Sequence, residues 1–149
     1  MMAAFHQIWF WGGYVGIIVA GGLALWRGGW AERSAAATIL VAWFLTPLVQ
    51  RHYNPTFIGI FIDGATAAIL CAISLKARRI WTLFAASSMV GAFACHFMAG
   101  IFQHIGYFAY ITALGLLSGY YLILALGVGV AEHRWIIRNA GKLKVLADV

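Results

Sequence analysis

The sequence predicts an all-α integral membrane protein, a bundle of five transmembrane helices. Of its 149 residues, 64% are hydrophobic and only 9% are charged, which is too little polar surface for a soluble domain of this size. About 20 apolar residues cross a bilayer as a helix, and apolar runs of that length recur along the chain. Because lipid offers backbone groups no hydrogen-bond partners, and the alternating pattern of a transmembrane barrel is absent from the sequence, these runs are expected to be helices.

Charged residues and turn residues divide the chain into five predicted spans with only short loops between them. The spans lie at about 5–26, 31–50, 55–75, 80–101 and 107–130. Residues 1–131 are therefore expected to form one transmembrane domain, with no soluble domain beside it. Residues 132–149 are expected to be a short basic tail that extends the fifth span, lies along the membrane as an amphipathic interfacial helix, or is a solvated flank.

The boundaries of the first three spans have recognisable signals. The first span begins without a basic flank or a small-residue cleavage site, so it is expected to be a retained helix rather than a signal peptide. Pro47 lies near the end of the second span, where it can end or bend the helix. Asn54 and Pro55 are typical of an N-cap followed by a first-turn proline, and they predict the start of the third span.

The fourth and fifth spans come from a single apolar stretch. No Lys, Arg, Asp or Glu occurs from Ile80 to Ala131, a length roughly twice what one membrane helix needs. The stretch must therefore fold as a hairpin. Its turn is expected at "FQHIG", residues 102–106, which holds clustered polar residues between Gly100 and Gly106.

The distribution of basic residues predicts the orientation. With five spans, only Arg51 falls on one side, and nine basic residues fall on the other: Arg27, Arg33, Lys76, Arg78, Arg79, Arg134, Arg138, Lys142 and Lys144. The positive-inside rule then predicts an N-terminus outside and a C-terminus in the cytoplasm, in a membrane of the bacterial inner type. The net charge of +6 is thereby explained by topology and attraction to an anionic inner leaflet, without nucleic acid. Tryptophans near the predicted interfaces indicate an aromatic belt: Trp9, Trp11, Trp26, Trp30, Trp81 and Trp135.

Small residues mark the faces on which helices are expected to pack. Between helices in lipid, association depends on close packing and hydrogen bonds, so small residues predict contact surfaces. Those residues are Gly12, Gly16, Ala20 and Ala24 in the first span, and Gly115 and Gly119 in the fifth. They predict either packing inside the bundle or a surface for a homo-oligomer or a larger membrane complex.

Asp63 is interpreted as the only acidic residue inside a predicted span. An ionised carboxylate there costs several kcal/mol unless it is paired, hydrated or protonated, so Asp63 is expected to face the bundle interior. The candidate partners at similar depth are His96, Tyr14, Ser87 and Ser88. Asp63 and His96 are accordingly the candidates for a proton or ion site, with Tyr120 and Tyr121 as possible further members.

Four of the five histidines are predicted near the outer face: His6, His52, His96 and His104. Three interpretations remain open. The imidazoles are interfacial residues, or ligands of a b-type haem or a transition metal, or part of the proton or ion path. No motif of spaced cysteines or histidines supports a metal, so the default is no cofactor.

No catalytic residues are predicted, because the sequence contains neither a nucleophile motif nor paired carboxylates for acid–base chemistry. The first interpretation is therefore a small non-catalytic membrane protein that contributes packing surfaces to an oligomer or a larger complex. The alternatives are a haem- or metal-binding protein with an outer-leaflet histidine site, and a proton or ion transporter that uses Asp63.

Overall fold

A computed structural model describes residues 2–51, 55–101 and 106–147, and every element in them is helical. The helices are α1 (Met2–Arg27), α2 (Trp30–Gln50), α3 (Pro55–Ala77), α4 (Ile80–Ile101), α5 (Tyr107–Leu114) and α6 (Tyr121–Ala147). A π-helical segment, Gly115–Tyr120, joins α5 to α6, and these three pieces form the fifth span.

Five helical stretches are long and apolar enough to cross a membrane. They are Gln7–Arg27, Trp30–Val49, Ile58–Ala77, Ile80–Met98 and Phe108–Ala140. The helices end within a few residues of the predicted spans, except that α6 runs on to Ala147 through most of the predicted tail. Asn54 and most of the "FQHIG" turn, residues 102–105, lie outside the described residues.

Each helix packs against the next, and the fifth span returns to pack against α1 and α4. The connections 28–29 and 78–79 contain only two residues each, so α1 with α2, and α3 with α4, form antiparallel hairpins. Both connections lie at one end of the bundle, together with His133. The basic residues that were predicted to share one side of the membrane lie at this end, as far as the structure describes them. We call it the basic end.

Alanines occupy many core positions beside larger residues such as Ile17 and Leu126, and large apolar residues also cover the outside. Ala24, Ala35 and Ala92 are fully buried, whereas Phe61 and Ile80 are 74% and 87% exposed. This arrangement is the reverse of a soluble domain, and it suits helices that touch closely inside while facing lipid outside. Trp81, one of the tryptophans assigned to the aromatic belt, points into the bundle, where it is buried and packs its ring on Gly129 of α6.

Candidate functional site

Three polar side chains from three helices form a hydrogen-bonded chain inside the bundle. His96 of α4 places Nε2 2.9 Å from Oδ2 of Asp63 on α3. On the other side of the ring, Nδ1 of His96 lies 2.7 Å from the hydroxyl of Tyr110 on α5. The His96 side chain is only 5% exposed and that of Asp63 is 19% exposed, so the His96–Asp63 contact lies mostly inside the bundle.

Two hairpins bring these residues together. Asp63 and His96 lie at nearly equal distances from the connection at Arg78 and Arg79, so the antiparallel helices place them at one depth. His96 and Tyr110 lie in the same way on either side of Gln103, in the predicted turn. The site therefore follows from the chain folding back on itself twice.

The partners of His96 determine which ring nitrogen carries the proton. An ionised Asp63 accepts hydrogen bonds only, so Nε2 of His96 donates to it. When the imidazole is neutral, Nδ1 is then an acceptor, and the hydroxyl of Tyr110 donates to it. This pattern leaves one negative charge on Asp63 inside the bundle.

A cavity of about 370 Å³ lies beside this chain, and both Asp63 and His96 line it. All five spans contribute residues to its wall, so it lies between the helices. It occupies the half of the bundle away from the basic end, and it reaches inward as far as Ile39, Met89 and Leu122. Its volume is at the low end of the range of about 300–1,000 Å³ that is common for ligand pockets.

Aromatic side chains form much of the cavity wall. Trp9 and Tyr120 have ring centroids 4.4 Å apart, and Tyr14 meets Trp43 edge to face at 5.1 Å. Hydrogen bonds hold two of these rings in place: Tyr120 donates its hydroxyl to the carbonyl of Trp9 at 2.7 Å, and Trp43 donates Nε1–H to the carbonyl of Ser118 at 3.0 Å. The wall therefore presents fixed aromatic surfaces.

The π-helical segment Gly115–Tyr120 lies in the cavity wall. The N–H of Tyr121 bonds the carbonyl of Leu116, which is the i→i−5 pattern of a π-helix. Two glycines in this segment let tryptophan rings pack directly on its backbone. A Cβ on Gly115 would stand 3.1 Å from Nε1 of Trp9, and a Cβ on Gly119 would stand 3.2 Å from the ring of Trp43. Such segments occur frequently at functional sites in helical proteins.

The charges on the cavity wall are unbalanced. Asp63 is its one acidic residue, and the described residues that line it include no Lys or Arg. The remaining polar groups are hydroxyls, such as those of Thr46 and Thr66, and the His96 imidazole. The wall is thus apolar and aromatic, with one carboxylate.

The structure brings together only some of the predicted site residues. His52, His104 and the side chain of His6 lie outside the described residues. His96 is engaged at both ring nitrogens, and across the described residues no three His, Cys, Asp or Glu side chains are grouped to hold a metal ion. The haem or metal site therefore stays a prediction.

The predicted proton path is only partly assembled. Asp63 and His96 are in contact, whereas Tyr120 bonds the backbone of Trp9 and Tyr121 packs against Phe84. These two tyrosines therefore have structural contacts of their own. The second hydrogen-bond partner of His96 is Tyr110, which was not predicted from the sequence.

The small residues of the first span pack inside the bundle, and two of them contact the fifth span. A Cβ on Gly12 would stand 3.2 Å from the hydroxyl of Tyr120, and one on Gly16 would stand 2.9 Å from Ile123. Ala20 packs against the core and Ala24 is fully buried. The helix-packing residues Gly12, Gly16, Ala20, Ala24, Gly115 and Gly119 thus make contacts within the chain.

Glu32 was missed by the sequence analysis, which counted Asp63 as the only acidic residue inside a span. That count was wrong, because Glu32 lies in the second span and is fully buried. Arg79 donates to its Oε1 at 2.6 Å, which supplies a countercharge at the basic end. Gly29 lies close to both Glu32 Oε2 and the His133 ring, where a side chain would not fit. The signal was available, since Glu32 is the second residue of the predicted span.

Comparison of the chain with models of protein families, with curated proteins and with solved structures yields no match. No relative therefore assigns a role to Asp63, His96 or Tyr110.

Proposed function

We propose that this chain is a multi-pass protein of a bacterial-type inner membrane that binds a small organic molecule in the cavity between its helices. Asp63 and His96 anchor the polar end of that molecule, Tyr110 holds the His96 ring in place, and the aromatic walls hold its apolar part. The observation that carries the proposal is the hydrogen-bonded chain on the wall of a cavity of about 370 Å³. A pocket that is mostly apolar with a few convergent polar groups is the arrangement that ligand sites share.

The energetics favour an occupied cavity over a purely structural contact. An Asp in the middle of a membrane helix costs about 2.5–3.5 kcal/mol, and the side chains that line a cavity lack packing contacts that a bound molecule would supply. A hydrogen bond that merely joined two spans would need no cavity beside it. Elsewhere the bundle packs closely on alanines such as Ala35 and Ala92, so the sequence is able to fill its interior.

The orientation forms part of the proposal. The basic end faces the cytoplasm and the anionic inner leaflet, because positive residues are retained on that side. The cavity then lies in the outer half of the bilayer, with Asp63 and His96 on its wall. Ligand reaches it from the outer side or from the outer leaflet.

Two other roles remain hypotheses with less support. A contribution to an oligomer or larger complex was suggested by the small residues of the first span, but Gly12 and Gly16 contact the fifth span of the same chain, and Ala20 and Ala24 pack in its core. A haem or metal site draws on His6, His52 and His104, whose side chains lie outside the described residues. Neither role accounts for the cavity.

The experiment uses two probes of nearly identical shape, benzyltrimethylammonium and its neutral carbon analogue neopentylbenzene. Binding to the purified protein in lipid nanodiscs is followed by tryptophan fluorescence and by the shift in unfolding temperature. Ala42→Leu adds bulk to a side chain on the cavity wall, and Ala37→Leu makes the same change at an exposed position of α2.

We expect saturable binding of at least one probe to the unmodified protein and to Ala37→Leu, and its loss in Ala42→Leu. If neither probe binds, or if Ala42→Leu binds as the unmodified protein does, the proposed function is wrong.

A further inference from the structure

We infer that the molecule bound in the cavity is a small organic monocation, a protonated or quaternary amine, and that it binds in exchange for a proton carried by His96. The inference rests on the proposed function and adds the charge class of the ligand and the ion released. Three features of the cavity carry it: one carboxylate with no Lys or Arg among the described residues of the wall, aromatic rings on that wall, and an imidazole hydrogen-bonded to the carboxylate.

The charge of the cavity selects a cation. Asp63 brings one negative charge to a wall that has no Lys or Arg among its described residues. Glu32 shows the contrast, because Arg79 neutralises that carboxylate at 2.6 Å. In a low-dielectric interior an anion is disfavoured beside Asp63, and a cation is favoured. The ligand that completes this site therefore carries a positive charge.

The aromatic rings favour an organic cation over a bare metal ion. Trp9, Tyr14, Trp43 and Tyr120 all line the cavity. A cation over the face of such a ring gains about 0.5–2 kcal/mol, and quaternary ammonium groups are bound in this way. A metal ion would need more ligating atoms than one carboxylate supplies, and the described part of the chain has no group of three such ligands. The apolar wall at Ile39, Met89 and Leu122 suits a hydrocarbon body.

The imidazole explains how the empty site keeps its charge balanced. With no ligand bound, a proton on His96 makes an imidazolium that lies 2.9 Å from Asp63, and the pair is neutral. With a monocation bound, the pair and the cation together are neutral only if His96 gives up that proton. One cation therefore enters as one proton leaves, and the site holds either one or the other.

The groups around the pair determine the direction of the pH dependence. Among the described residues, the titratable groups at the site are Tyr14 of α1, Asp63 of α3, His96 of α4, and Tyr110 and Tyr120 of the fifth span, and the described part of α2 contributes none. Of these side-chain types, histidine is the one that exchanges protons near neutral pH. Because the proton and the cation compete for the same site, the cation binds more weakly as the pH falls.

The test compares benzyltrimethylammonium with neopentylbenzene in weakly buffered nanodiscs, and a pH indicator counts the protons released. We expect the cation to bind at least about tenfold more tightly than its neutral analogue. That ratio corresponds to a difference in binding free energy of about 1.4 kcal/mol. We also expect proton release approaching one per bound cation, and weaker binding at about pH 6 than at about pH 8. The neutral analogue should release no protons.

Asp63→Asn removes the charge while it keeps the shape of the side chain, so it should abolish the preference for the cation and the proton release. Glu132→Gln makes the same acid-to-amide change in α6, away from the cavity, and should keep both.

Equal binding of the two probes with no proton release would overturn the inference and leave the proposed function standing. Cation binding without proton release would overturn the exchange. Failure of both probes to bind would overturn the proposed function itself.

Discussion

The imidazole of His96 lies 2.9 Å from the carboxylate of Asp63, and this contact joins the third and fourth helices beside a cavity. Asp63 was expected to face the interior and His96 was among its four expected partners, because both were predicted at similar depth. In the proposed function this pair is open to a ligand, because both side chains line the cavity. A buried pair in a closely packed interior would serve only to join the helices.

Tyr110→Phe should destabilise the protein by about 1 kcal/mol, because His96 Nδ1 loses its hydrogen-bond partner inside the bundle. Tyr121→Phe is the matched control, since Tyr121 is 37% exposed and should change stability by less than about 0.5 kcal/mol. Unfolding in detergent, followed by circular dichroism, measures both. Equal stability of the two variants would contradict the role assigned to Tyr110.

Arg79→Ala should be strongly destabilising, by about 3–5 kcal/mol, because it leaves Glu32 buried without a countercharge. Replacing both partners, in Glu32→Gln with Arg79→Ala, should cost less than Arg79→Ala alone. Arg78→Ala is the control, as Arg78 is the exposed neighbour in the same connection. The same unfolding measurement tests the set, and a double variant less stable than Arg79→Ala would disprove the pairing.

Gly129→Ala should destabilise the bundle by about 1–3 kcal/mol, because the added methyl would stand 2.7 Å from the buried ring of Trp81. Gly127→Ala adds the same methyl group about half a turn earlier in α6. No other atom lies within 4 Å of that position. Alanine is the better helix former, so that variant should be neutral or up to about 1 kcal/mol more stable. Both are compared by thermal unfolding. A loss of stability in Gly127→Ala equal to that in Gly129→Ala would show that the contact with Trp81 is not the cause.

The proposed orientation predicts which side of the membrane each end faces. Cys71 and Cys95 are free thiols and are first replaced by alanine. Single cysteines are then placed at Gly106, which is exposed with open space around it, and at Arg33, which is exposed at the basic end. A membrane-impermeant maleimide applied to spheroplasts should label Gly106→Cys at once and Arg33→Cys only after lysis. The reverse pattern would mean that the basic end faces outward.

The number of spans and most helix ends could be predicted because they depend on local features. Hydrophobic length determines how many helices fit, and charged pairs such as Arg78 and Arg79 determine where they stop. The continuation of α6 to Ala147 was one of three possibilities for the tail, because a basic amphipathic sequence is compatible with a helix in or along the membrane.

The cavity and the π-helical segment could not be predicted, because both depend on contacts among several spans. The bond from Trp43 to the carbonyl of Ser118 links residues far apart in sequence. Nothing in the sequence near Gly115 indicates an i→i−5 hydrogen bond, since glycine is compatible with many conformations. Tyr110 was predictable in principle, because it mirrors His96 across the expected turn.

The most direct test of the binding site is photo-crosslinking with an azide derivative of benzyltrimethylammonium, followed by mass spectrometry of the labelled peptides. A cavity ligand should label residues on the cavity wall, such as Ala42, Thr66 and Ser118, and an excess of unlabelled benzyltrimethylammonium should suppress that labelling. Labelling confined to exposed residues on the outside of the bundle, such as Val41, Phe61 and Leu124, would show that the probe partitions into lipid and would contradict the account.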